Sequence, residues 1–410
     1  MNCIIIGASH AGVTCAFALR REGWEGEITL FDSDPQLPYH RPPLSKAYLT
    51  NPESMVQNVL KTSETYEKEN INLQLGVRVQ SIDRANKKVS LDNGETRAYD
   101  KLVLATGARP LIPLIEGIET AKNCFSMRTA QDAIDIQAAF QQIDDKRVVV
   151  IGGGYIGLET AASLRKLGAE VTILEREERL LARVTAPELS NYFQQLHEEQ
   201  GVQIFTQKNV ERIETSDEHN EVICSDGSCF EADMIIVGIG IRVNQELAAA
   251  AGLEIENGIK VNSVAQTSDE HIYAIGDCTF HHNPYYDKWL RLESVQNAND
   301  QAKIAAASIC GKDVKYDSLP WFWSDQYEVK LQTVGLFNDY NYLIIREEID
   351  RANCFSVWYF KEERLLAVDA INNGKAYMLG TKFLKNRAQL DKEKLADSTV
   401  PFKPNNFLKE

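Results

Sequence analysis

The chain has 410 residues, 44% of them hydrophobic, and a formal charge of −15 from 44 basic and 59 acidic residues. At roughly 100–200 residues per domain, this length predicts several domains rather than one. The negative charge disfavours nucleic acid and anionic membranes as general partners. The longest apolar runs, such as Met234–Ile241, are less than half of the ~20 residues that a membrane-spanning helix needs.

The first residues already form an apolar, strand-like run that ends at Gly7, which leaves no room for a signal peptide. We therefore expect a cytoplasmic protein. Eight cysteines are scattered along the chain, with neither a CxxC pair nor the Cys/His spacing of a zinc site. We expect most of these thiols to be buried core residues and no metal site.

Two strand–glycine–helix units follow one another, about 145 residues apart, and each is typical of the start of a dinucleotide-binding fold. The first comprises a strand Asn2–Ile6, a glycine turn at 7–12, a helix to Arg21 and a strand Glu27–Phe31 that ends in Asp32. The second comprises a strand Arg147–Ile151, a turn at 152–157, a helix to about Leu167 and a strand Glu170–Leu174 that ends in Glu175.

The second turn carries the full GxGxxG pattern. The first glycine allows the sharp turn, the second lets a pyrophosphate approach the backbone, and the third lets the helix pack on the strand. The residues are Gly152, Gly154, Tyr155, Ile156 and Gly157, with Glu175 placed to bind a ribose. Because a carboxylate repels a 2′-phosphate, Glu175 favours NAD(H), although the nearby Arg176 and Arg179 temper that preference.

The first turn departs from this pattern because Ser9 stands at the middle glycine position, while Gly7, Gly12 and Asp32 keep the register. The Cβ of serine restricts how closely a phosphate can approach the backbone. Two readings stay open: the dinucleotide sits slightly further out, or the hydroxyl donates a compensating hydrogen bond.

Further along, strand-like segments run into glycines at 99–107, 234–240 (ending in Gly240) and 271–277. After Pro320 the pattern changes to a separate α+β module. Its predicted elements are the strands Lys330–Val334, Tyr342–Arg346, Phe355–Phe360 and Leu365–Ala370 and a helix from Ala376 to Arg387.

Several longer motifs resemble those of the FAD-dependent ferredoxin reductases that serve oxygenases. They are Tyr-His-Arg-Pro-Pro-Leu-Ser-Lys at 39–46, Ala-Thr-Gly at 105–107, Gly-Asp-Cys at 276–278, Arg-Leu-Glu-Ser-Val-Gln-Asn-Ala at 291–298 and Pro-Trp-Phe-Trp-Ser-Asp-Gln-Tyr at 320–327. The resemblance covers nearly the whole chain. The motifs at 39–46 and 320–327 are specific to this branch of the dinucleotide-binding proteins.

The resemblance implies bound FAD and a diffusing NAD(H), with Lys46 and Glu159 as catalytic residues that can pair with each other. It implies an FAD site built from Gly7, Ser9, Ala11, Gly12, Asp32, Arg41, Lys46, Val79, Thr106, Gly107, Arg128, Gly276, Asp277, Val295 and Trp323. Asp34 is a weaker candidate for the ribose acid. The nicotinamide nucleotide would lie on the second glycine turn and near Gly240.

The implied fold class is α/β, with two Rossmann-like domains, one inserted in the other, and a C-terminal α+β domain. We expect the FAD-binding domain at 1–108 and 236–318, the NAD-binding domain at 109–235 and the C-terminal interface domain at 319–410.

The implied function is transfer of electrons from NADH through FAD to a 2Fe–2S ferredoxin that supplies a P450 or Rieske oxygenase. Rubredoxin is an alternative acceptor, and an NADH-sensing flavoprotein similar to apoptosis-inducing factor is an alternative from another class. Disulfide and peroxide reductases of the superfamily need a flavin-side thiol, and residues 35–60 contain none. The one CxxxxC, Cys224 to Cys229, flanks an Asp-Gly turn and is interpreted as a hairpin.

Because a chain with a net charge of −15 would repel an acidic ferredoxin at long range, docking of that partner requires a local basic surface. Residues 372–390 carry Lys375, Lys382, Lys385 and Arg387 and no acid, and Lys288 and Arg291 precede the motif at 291–298. We predict a docking patch there, against the alternative of an ordinary solvated helix face. The protein is expected to be a monomer or a weak homodimer.

Overall fold

The computed structural model describes residues 1–51 and 58–409. The strands, in chain order, are β1 Asn2–Ile6, β2 Glu27–Asp32, β3 Ile71–Leu75, β4 Val79–Asp83, β5 Lys88–Leu91, β6 Thr96–Ala98, β7 Lys101–Leu104, β8 Ala108–Pro110, β9 Cys124–Ser126, β10 Arg147–Ile151, β11 Glu170–Leu174, β12 Gln203–Phe205, β13 Val210–Thr215, β14 Asn220–Cys224, β15 Cys229–Ala232, β16 Met234–Val237, β17 Ile241–Val243, β18 Ile255–Glu256, β19 Gly258–Val261, β20 Ile272–Ala274, β21 Thr279–Asn283, β22 Lys288–Leu290, β23 Trp321–Gln326, β24 Val329–Gly335, β25 Tyr342–Glu347, β26 Phe355–Lys361 and β27 Arg364–Ile371. The helices are α1 His10–Glu22, α2 Ala47–Thr50, α3 Ser63–Lys68, α4 Ala130–Phe140, α5 Tyr155–Lys166, α6 Pro187–Glu199, α7 Glu246–Ala250, α8 Val295–Ile309, α9 Gly374–Lys385 and α10 Lys392–Ala396.

The first unit is a five-stranded parallel sheet in the order β20-β7-β1-β2-β3, covered by α1 and α8. Strand β1 is apolar from Cys3 to Ile6, because both of its faces are buried there, as is typical of a parallel sheet. Strand β20 joins the sheet from a segment that follows the second unit in the chain. The second unit is therefore inserted within the first.

The second unit repeats this architecture with the parallel order β12-β11-β10-β16-β9 and the helices α4, α5 and α6. Strand β16 pairs with β10 over its whole length, Val148 opposite Met234 and Ile151 opposite Val237. The predicted boundary between residues 235 and 236 thus falls inside β16, a strand of the second sheet. The four-part division of the chain otherwise remains a prediction.

The C-terminal part is a five-stranded antiparallel sheet, β23-β24-β27-β26-β25, with a different neighbour on each face. Side chains alternate along a strand, so successive residues of β27 point to opposite faces. One face packs on α9 and includes Val368 and Ala370. The other face includes Ala367 and Ile371 and shares one continuous core with α5 and α6 of the second unit. The predicted α+β module is present, but it is packed on the second unit rather than separate from it.

The predicted strands and helices of both glycine units occur within a residue or two of their expected ends. The structure adds β23, which the sequence analysis treated only as a motif. In residues 1–51 and 58–409, no helix is long and apolar enough to cross a membrane.

Candidate functional site

Both glycine turns open into one cleft of about 1800 Å³ between the first unit, the second unit and the C-terminal sheet. Of the predicted site residues, those that line the cleft are Gly7, Ser9, Ala11, Asp32, Arg41, Lys46, Val79, Thr106, Gly107, Arg128, Gly152, Gly154, Tyr155, Ile156, Glu159, Glu175, Gly240, Gly276, Asp277, Val295 and Trp323. Gly12 and Gly157 do not line it. The cleft therefore contains nearly all of the predicted residues, although no bound group tests their individual roles.

Gly12 and Gly157 have another function, which is to let each helix approach its own turn. A Cβ on Gly12 would lie 1.8 Å from the Gly7 carbonyl oxygen, and a Cβ on Gly157 would lie 2.2 Å from that of Gly152. Side chains at these positions would separate helix from strand. This matches the packing role of the third glycine in each motif.

The first glycine turn places the N-terminus of α1 at the cleft. Gly7 has a φ of 107°, a conformation that favours glycine. Ser9 is the N-cap residue of α1, and its side chain makes no capping hydrogen bond. Instead its hydroxyl oxygen accepts a hydrogen bond from Arg41 Nε at 2.9 Å. The hydroxyl hydrogen thus stays available to donate, which agrees with the second of the two readings of Ser9.

The guanidinium groups of Arg41 and Arg128 lie beside this helix terminus and line the cleft. Arg41 also donates to the Arg128 carbonyl oxygen at 2.7 Å, and Arg128 pairs with Asp277 at 3.2 Å. Burial and the neighbouring Arg128 lower the pKa of Arg41. Two partly desolvated guanidinium groups next to a helix N-terminus make a site for an anion such as a pyrophosphate.

Asp32 ends β2 and fixes the turn: its carboxylate accepts hydrogen bonds from the backbone N–H of Ala8 at 2.5 Å and of Asp34 at 2.9 Å. The Asp34 carboxylate accepts a hydrogen bond from the Tyr39 hydroxyl at 2.9 Å. Asp34 therefore accepts a hydrogen bond from the Tyr39 side chain. Asp32, at the end of β2, has the position that the ribose-binding acid occupies in this type of fold.

His10 is a cleft residue that the sequence analysis missed. It lies in the first turn of α1, and its Nε2 atom is buried without a hydrogen-bond partner among the described residues. Burial lowers its pKa to about 3, so the imidazole is neutral at pH 7. A buried nitrogen without a partner at a phosphate-type turn fits a bound dinucleotide. Its place between Ser9 and Ala11 in the motif was the only sequence signal.

The second glycine turn also places a helix N-terminus at the cleft, but among the described residues it has no counterpart of the Ser9, Arg41 and Arg128 side chains of the first turn. Gly152 has a φ of 109°, and Gly154 is the N-cap of α5, where an added Cβ would meet nothing closer than 3.9 Å. Glu175 accepts hydrogen bonds from the backbone N–H of Gly153 at 2.6 Å and of Glu177 at 2.8 Å. The carboxylate lies at the cleft wall, where a ribose with free hydroxyls is favoured over a 2′-phosphate.

The arginines near Glu175 differ in whether their guanidinium groups are already bound to other protein groups or are available to a ligand phosphate. Arg179 is occupied by the Thr185 and Ala182 carbonyls and by Ser190 Oγ, and Arg176 pairs with Glu177. Arg183, which the sequence analysis did not single out, lines the cleft next to Gly240. Within the described residues it makes no hydrogen bond or ion pair. Arg183 is therefore the cation best placed to meet a phosphate on this side.

Lys46 and Glu159 form an ion pair of 2.7 Å at the point where the three parts of the molecule meet. Glu159 is 3% exposed, and its carboxylate also accepts hydrogen bonds from Ser45 Oγ at 2.7 Å and Ser324 Oγ at 2.6 Å. Lys46 also donates to the Pro42 carbonyl at 3.2 Å. The predicted pairing of Lys46 with Glu159 is present.

An aromatic set extends from the cleft along the C-terminal part. Trp323 lines the cleft, its ring centroid lies 5.6 Å from that of Trp321, and Trp321 lies 6.3 Å from Tyr377 on α9. Cys224 and Cys229, by contrast, lie outside the cleft, at the β14–β15 hairpin, as predicted. In the described part of the chain, no cluster of His, Cys, Asp and Glu could hold a metal ion.

Comparison with known proteins now gives the family. The pyridine nucleotide-disulphide oxidoreductase model matches residues 1–302, and the reductase C-terminal model matches 321–405. The chain belongs to the pyridine nucleotide-disulphide oxidoreductases. This confirms the predicted fold class and the family resemblance, and makes the chain an oxidoreductase.

Relatives that match over nearly their whole length show which members of this family the chain is similar to. Putidaredoxin reductase of Pseudomonas putida is 44% identical over 407 residues, 98% of this chain and 96% of that protein. Rubredoxin-NAD(+) reductase of the same organism is 38% identical over 373 residues, 91% of this chain and 96% of that protein. The crystal structure of the covalent putidaredoxin reductase–putidaredoxin complex matches with a TM-score of 0.93 and 43% identity, over 98% of this chain and 97% of that chain.

The two glycines Gly154 and Gly157 give a test of the second turn. A Cβ at Gly154 meets nothing closer than 3.9 Å, whereas one at Gly157 collides with backbone. We expect Gly154→Ala to keep the melting temperature and to weaken NAD⁺ binding, measured by calorimetry. Gly157→Ala should lower the melting temperature by several degrees. Equal effects of the two substitutions on melting temperature would contradict this division of roles.

Proposed function

We propose that the protein is an NADH-dependent FAD enzyme that passes electrons to a 2Fe–2S ferredoxin supplying an oxygenase. The observation that carries the proposal is the single cleft in which two dinucleotide turns converge on the Lys46–Glu159 pair. The names of the full-length relatives support the acceptor class. The free state of all eight cysteines agrees with a reducing compartment, so the proposal includes a cytoplasmic location.

The first turn would hold the FAD. Arg41, Arg128 and the α1 N-terminus would offer donors and positive charge to its phosphates, and the unpartnered His10 Nε2 would add one donor in the tautomer that is protonated there. Asp277 would lie near the ribityl chain, with Gly107 and Gly276, at φ values of 60° and 82°, leaving space around it. Val79, Thr106 and Val295 would complete the wall. The bound flavin would supply the step from two-electron to one-electron transfer.

The second turn would hold NADH, with Glu175 at the ribose and Arg183 at a phosphate. The chain's own contribution would be orientation, since the two glycine turns open into the one cleft that Glu159 also lines and would bring the two rings together there. Lys46 would offer a cation where negative charge develops. Glu159 would hold that cation in place, because its carboxylate is buried and has three partners, Lys46, Ser45 and Ser324.

The acceptor would dock on a surface that includes α9. Lys375, Lys382, Lys385 and Arg387 are all exposed, and within the described residues none of them is in an ion pair. Lys288 and Arg291, in contrast, pair with Asp339 and Glu293, so the patch is smaller than expected and centred on α9. The same helix carries Tyr377, the outer end of the aromatic set that begins at Trp323. Because the basic residues and Tyr377 share this helix, we expect electrons to leave the protein for the acceptor at α9.

An acceptor panel tests the proposed function directly. Purified holoenzyme is mixed with NADH or NADPH and with ferredoxins, rubredoxin, hydrogen peroxide or CoA disulfide. We expect the highest kcat/KM with NADH and a ferredoxin. Faster turnover of peroxide or disulfide would overturn the proposal, faster turnover of rubredoxin would shift it to the alternative acceptor, and a long-lived reduced complex without turnover would favour a sensor.

Lys46→Ala should slow reduction of the flavin by NADH and lower the flavin potential, because a cation is lost and the buried Glu159 is left without its ion-pair partner. Stopped-flow absorbance and a redox titration measure both quantities. Lys166→Ala is the matched control, since it removes an exposed lysine of α5 that pairs with Glu328. Traces and potentials equal to the parent's would remove Lys46 from the mechanism.

Charge reversal on α9 tests the docking surface. Lys382→Glu with Lys385→Glu should raise the KM for ferredoxin several-fold, more so at low salt, and leave the NADH reduction rate unchanged, because attraction to an acidic partner is lost. The control reverses the exposed Lys68 of α3 and Lys88 of β5, which lie outside the cleft and change the net charge equally. A similar KM shift in both double variants would show that only net charge matters.

A further inference from the structure

A row of buried polar side chains crosses the contact between the C-terminal sheet and the second unit. Ser324 and Gln326 are two residues apart on β23, so both point to the same face of the sheet. Each is 1% exposed. Ser324 contacts Glu159 of α5, and Gln326 contacts His197, which is fully buried in the last turn of α6. Apolar side chains of similar shape would be tolerated in such a core, so these polar groups call for a role other than stability.

The hydrogen bonds of this row are continuous from Glu159 to Tyr327. The Ser324 hydroxyl lies 2.6 Å from Glu159 Oε1, and Gln326 Nε2 lies 3.2 Å from Ser324 Oγ. Gln326 Oε1 lies 2.8 Å from His197 Nε2, and His197 Nδ1 lies 3.4 Å from the Tyr327 hydroxyl. The rings of His197 and Tyr327 also pack edge to face, with centroids 5.1 Å apart. We call Ser324, Gln326, His197 and Tyr327 the polar chain.

The Glu159 carboxylate fixes the direction of every bond in the polar chain. Glu159 pairs with Lys46 as a carboxylate, which only accepts, so the one hydroxyl hydrogen of Ser324 is donated to it. Ser324 Oγ then accepts from the Gln326 amide nitrogen, which turns the amide oxygen towards His197. That oxygen requires a hydrogen on His197 Nε2. Every bond of the polar chain therefore donates towards Glu159.

The ring of His197 is neutral, as this direction requires. Burial lowers the pKa of His197 to about 4, although its hydrogen bond with Gln326 opposes that change. With its hydrogen on Nε2, the neutral ring has a bare Nδ1 that accepts from the Tyr327 hydroxyl. The polar chain thus brings no charge of its own to the site. It acts on Glu159 through aligned bond dipoles, each of which polarises the next.

The two oxygen atoms of Glu159 have separate partners. Oε2 binds Lys46 Nζ at 2.7 Å and Ser45 Oγ at 2.7 Å, both from the first unit. Oε1 accepts from Ser324 at the head of the polar chain. A donor on Oε1 takes up part of the carboxylate's negative charge, which leaves less of it to act on Lys46 and the cleft. It also fixes the rotation of the carboxyl group, and with it the place of Oε2.

We propose that His197 and Gln326 are positioning residues for Glu159: through Ser324 they orient its carboxylate and take up part of its charge, so that Lys46 stays fixed at the flavin site. The inference rests on the FAD and NADH sites of the proposed function and is independent of the electron acceptor. It extends the groups that act on flavin reduction to α6, which is separated from Lys46 by the side chains of Glu159, Ser324 and Gln326.

The test compares holoenzymes in which the polar chain is cut at successive positions, without any acceptor. Ser324→Ala should slow flavin reduction by NADH about tenfold, and Gln326→Met and His197→Leu about two- to fivefold, because the effect of a lost hydrogen bond weakens with distance from Glu159. The limiting rate should fall while the dissociation constant for NADH stays unchanged. Stopped-flow absorbance over a range of NADH concentrations gives both quantities.

Two further measurements do not depend on turnover. The flavin midpoint potential should fall in the cut variants, because more negative charge then acts from Glu159 on the site. NMR of the oxidised parent with isotope-labelled histidine should show His197 as the neutral tautomer with its hydrogen on Nε2, its signal being assigned by its loss in His197→Gln. That variant should restore rate and potential towards the parent's, since its amide can donate to Gln326 and accept from Tyr327.

Tyr192→Leu is the matched control. Tyr192 also lies on α6 and packs on Phe355 of β26, with ring centroids 5.0 Å apart. Its hydroxyl is buried and has no hydrogen-bond partner among the described residues, so it lies outside the polar chain. The control should lower the melting temperature and leave the reduction rate and the potential unchanged.

Three results would overturn the positioning role. They are a parent-like rate and potential in both Gln326→Met and His197→Leu, changes of the same size in Tyr192→Leu, and a hydrogen on Nδ1 of His197 in the parent. The last needs no folded cut variant. A parent whose flavin is reduced by NADH but which reduces no ferredoxin would contradict the proposed function alone.

Discussion

The ion pair between the partly buried Lys46 and the buried Glu159 is the constraint on which the rest of the structure depends. Lys46 follows the first unit's proline turn, Glu159 lies on α5 of the second unit, and Ser324, which completes the carboxylate's partners, lies on β23. A buried pair offsets its desolvation cost only when its remaining polar atoms are satisfied. Here the second unit supplies the carboxylate, the first unit supplies Lys46 and Ser45, and the C-terminal sheet supplies Ser324, so the pair links all three parts.

A buried core supports the same arrangement behind this pair. The inner face of the C-terminal sheet and the helices α5 and α6 belong to one apolar core, and His197 of α6 is hydrogen-bonded to Gln326 of β23 at 2.8 Å. Burial lowers the pKa of His197 to about 4, so this contact is uncharged near neutral pH. The second unit is thus held against the C-terminal sheet by apolar packing and by this uncharged hydrogen bond.

The sequence predicted those parts of the site whose conformation is determined by residues close together in the chain. The glycine turns, their acidic strand ends and the hairpin at Cys224 follow from short-range rules of backbone conformation. Lys46 and Glu159 were brought together only by the family resemblance, since they are more than a hundred residues apart. Arg183 and His10 were missed because the local sequence does not show whether a side chain will have a hydrogen-bond or ion-pair partner in the folded protein.

The C-terminal part shows where local patterns stop. Strand β23 mixes aromatic and polar residues, because Trp323 and Ser324 meet the cleft and Glu159 instead of a uniform core. Its periodicity is therefore weak, although its contacts are central. Packing of the sheet on α5 and α6 is a contact between distant segments, which hydrophobic content alone does not specify.

The two faces of that sheet also bear on the proposed docking of an acidic partner by a chain with a net charge of −15. The inner face packs on the nucleotide-binding unit, while the outer face carries α9 with its exposed lysines. Fields between exposed charges fade over about 8 Å at physiological salt, so a partner on α9 responds to the local cations more than to distant acids. Strand β23 links the two sides, since Phe322 packs on Tyr155 and Trp321 packs towards Tyr377. The two faces of this sheet therefore differ in character, since one is buried against the second unit and the other carries an exposed basic helix.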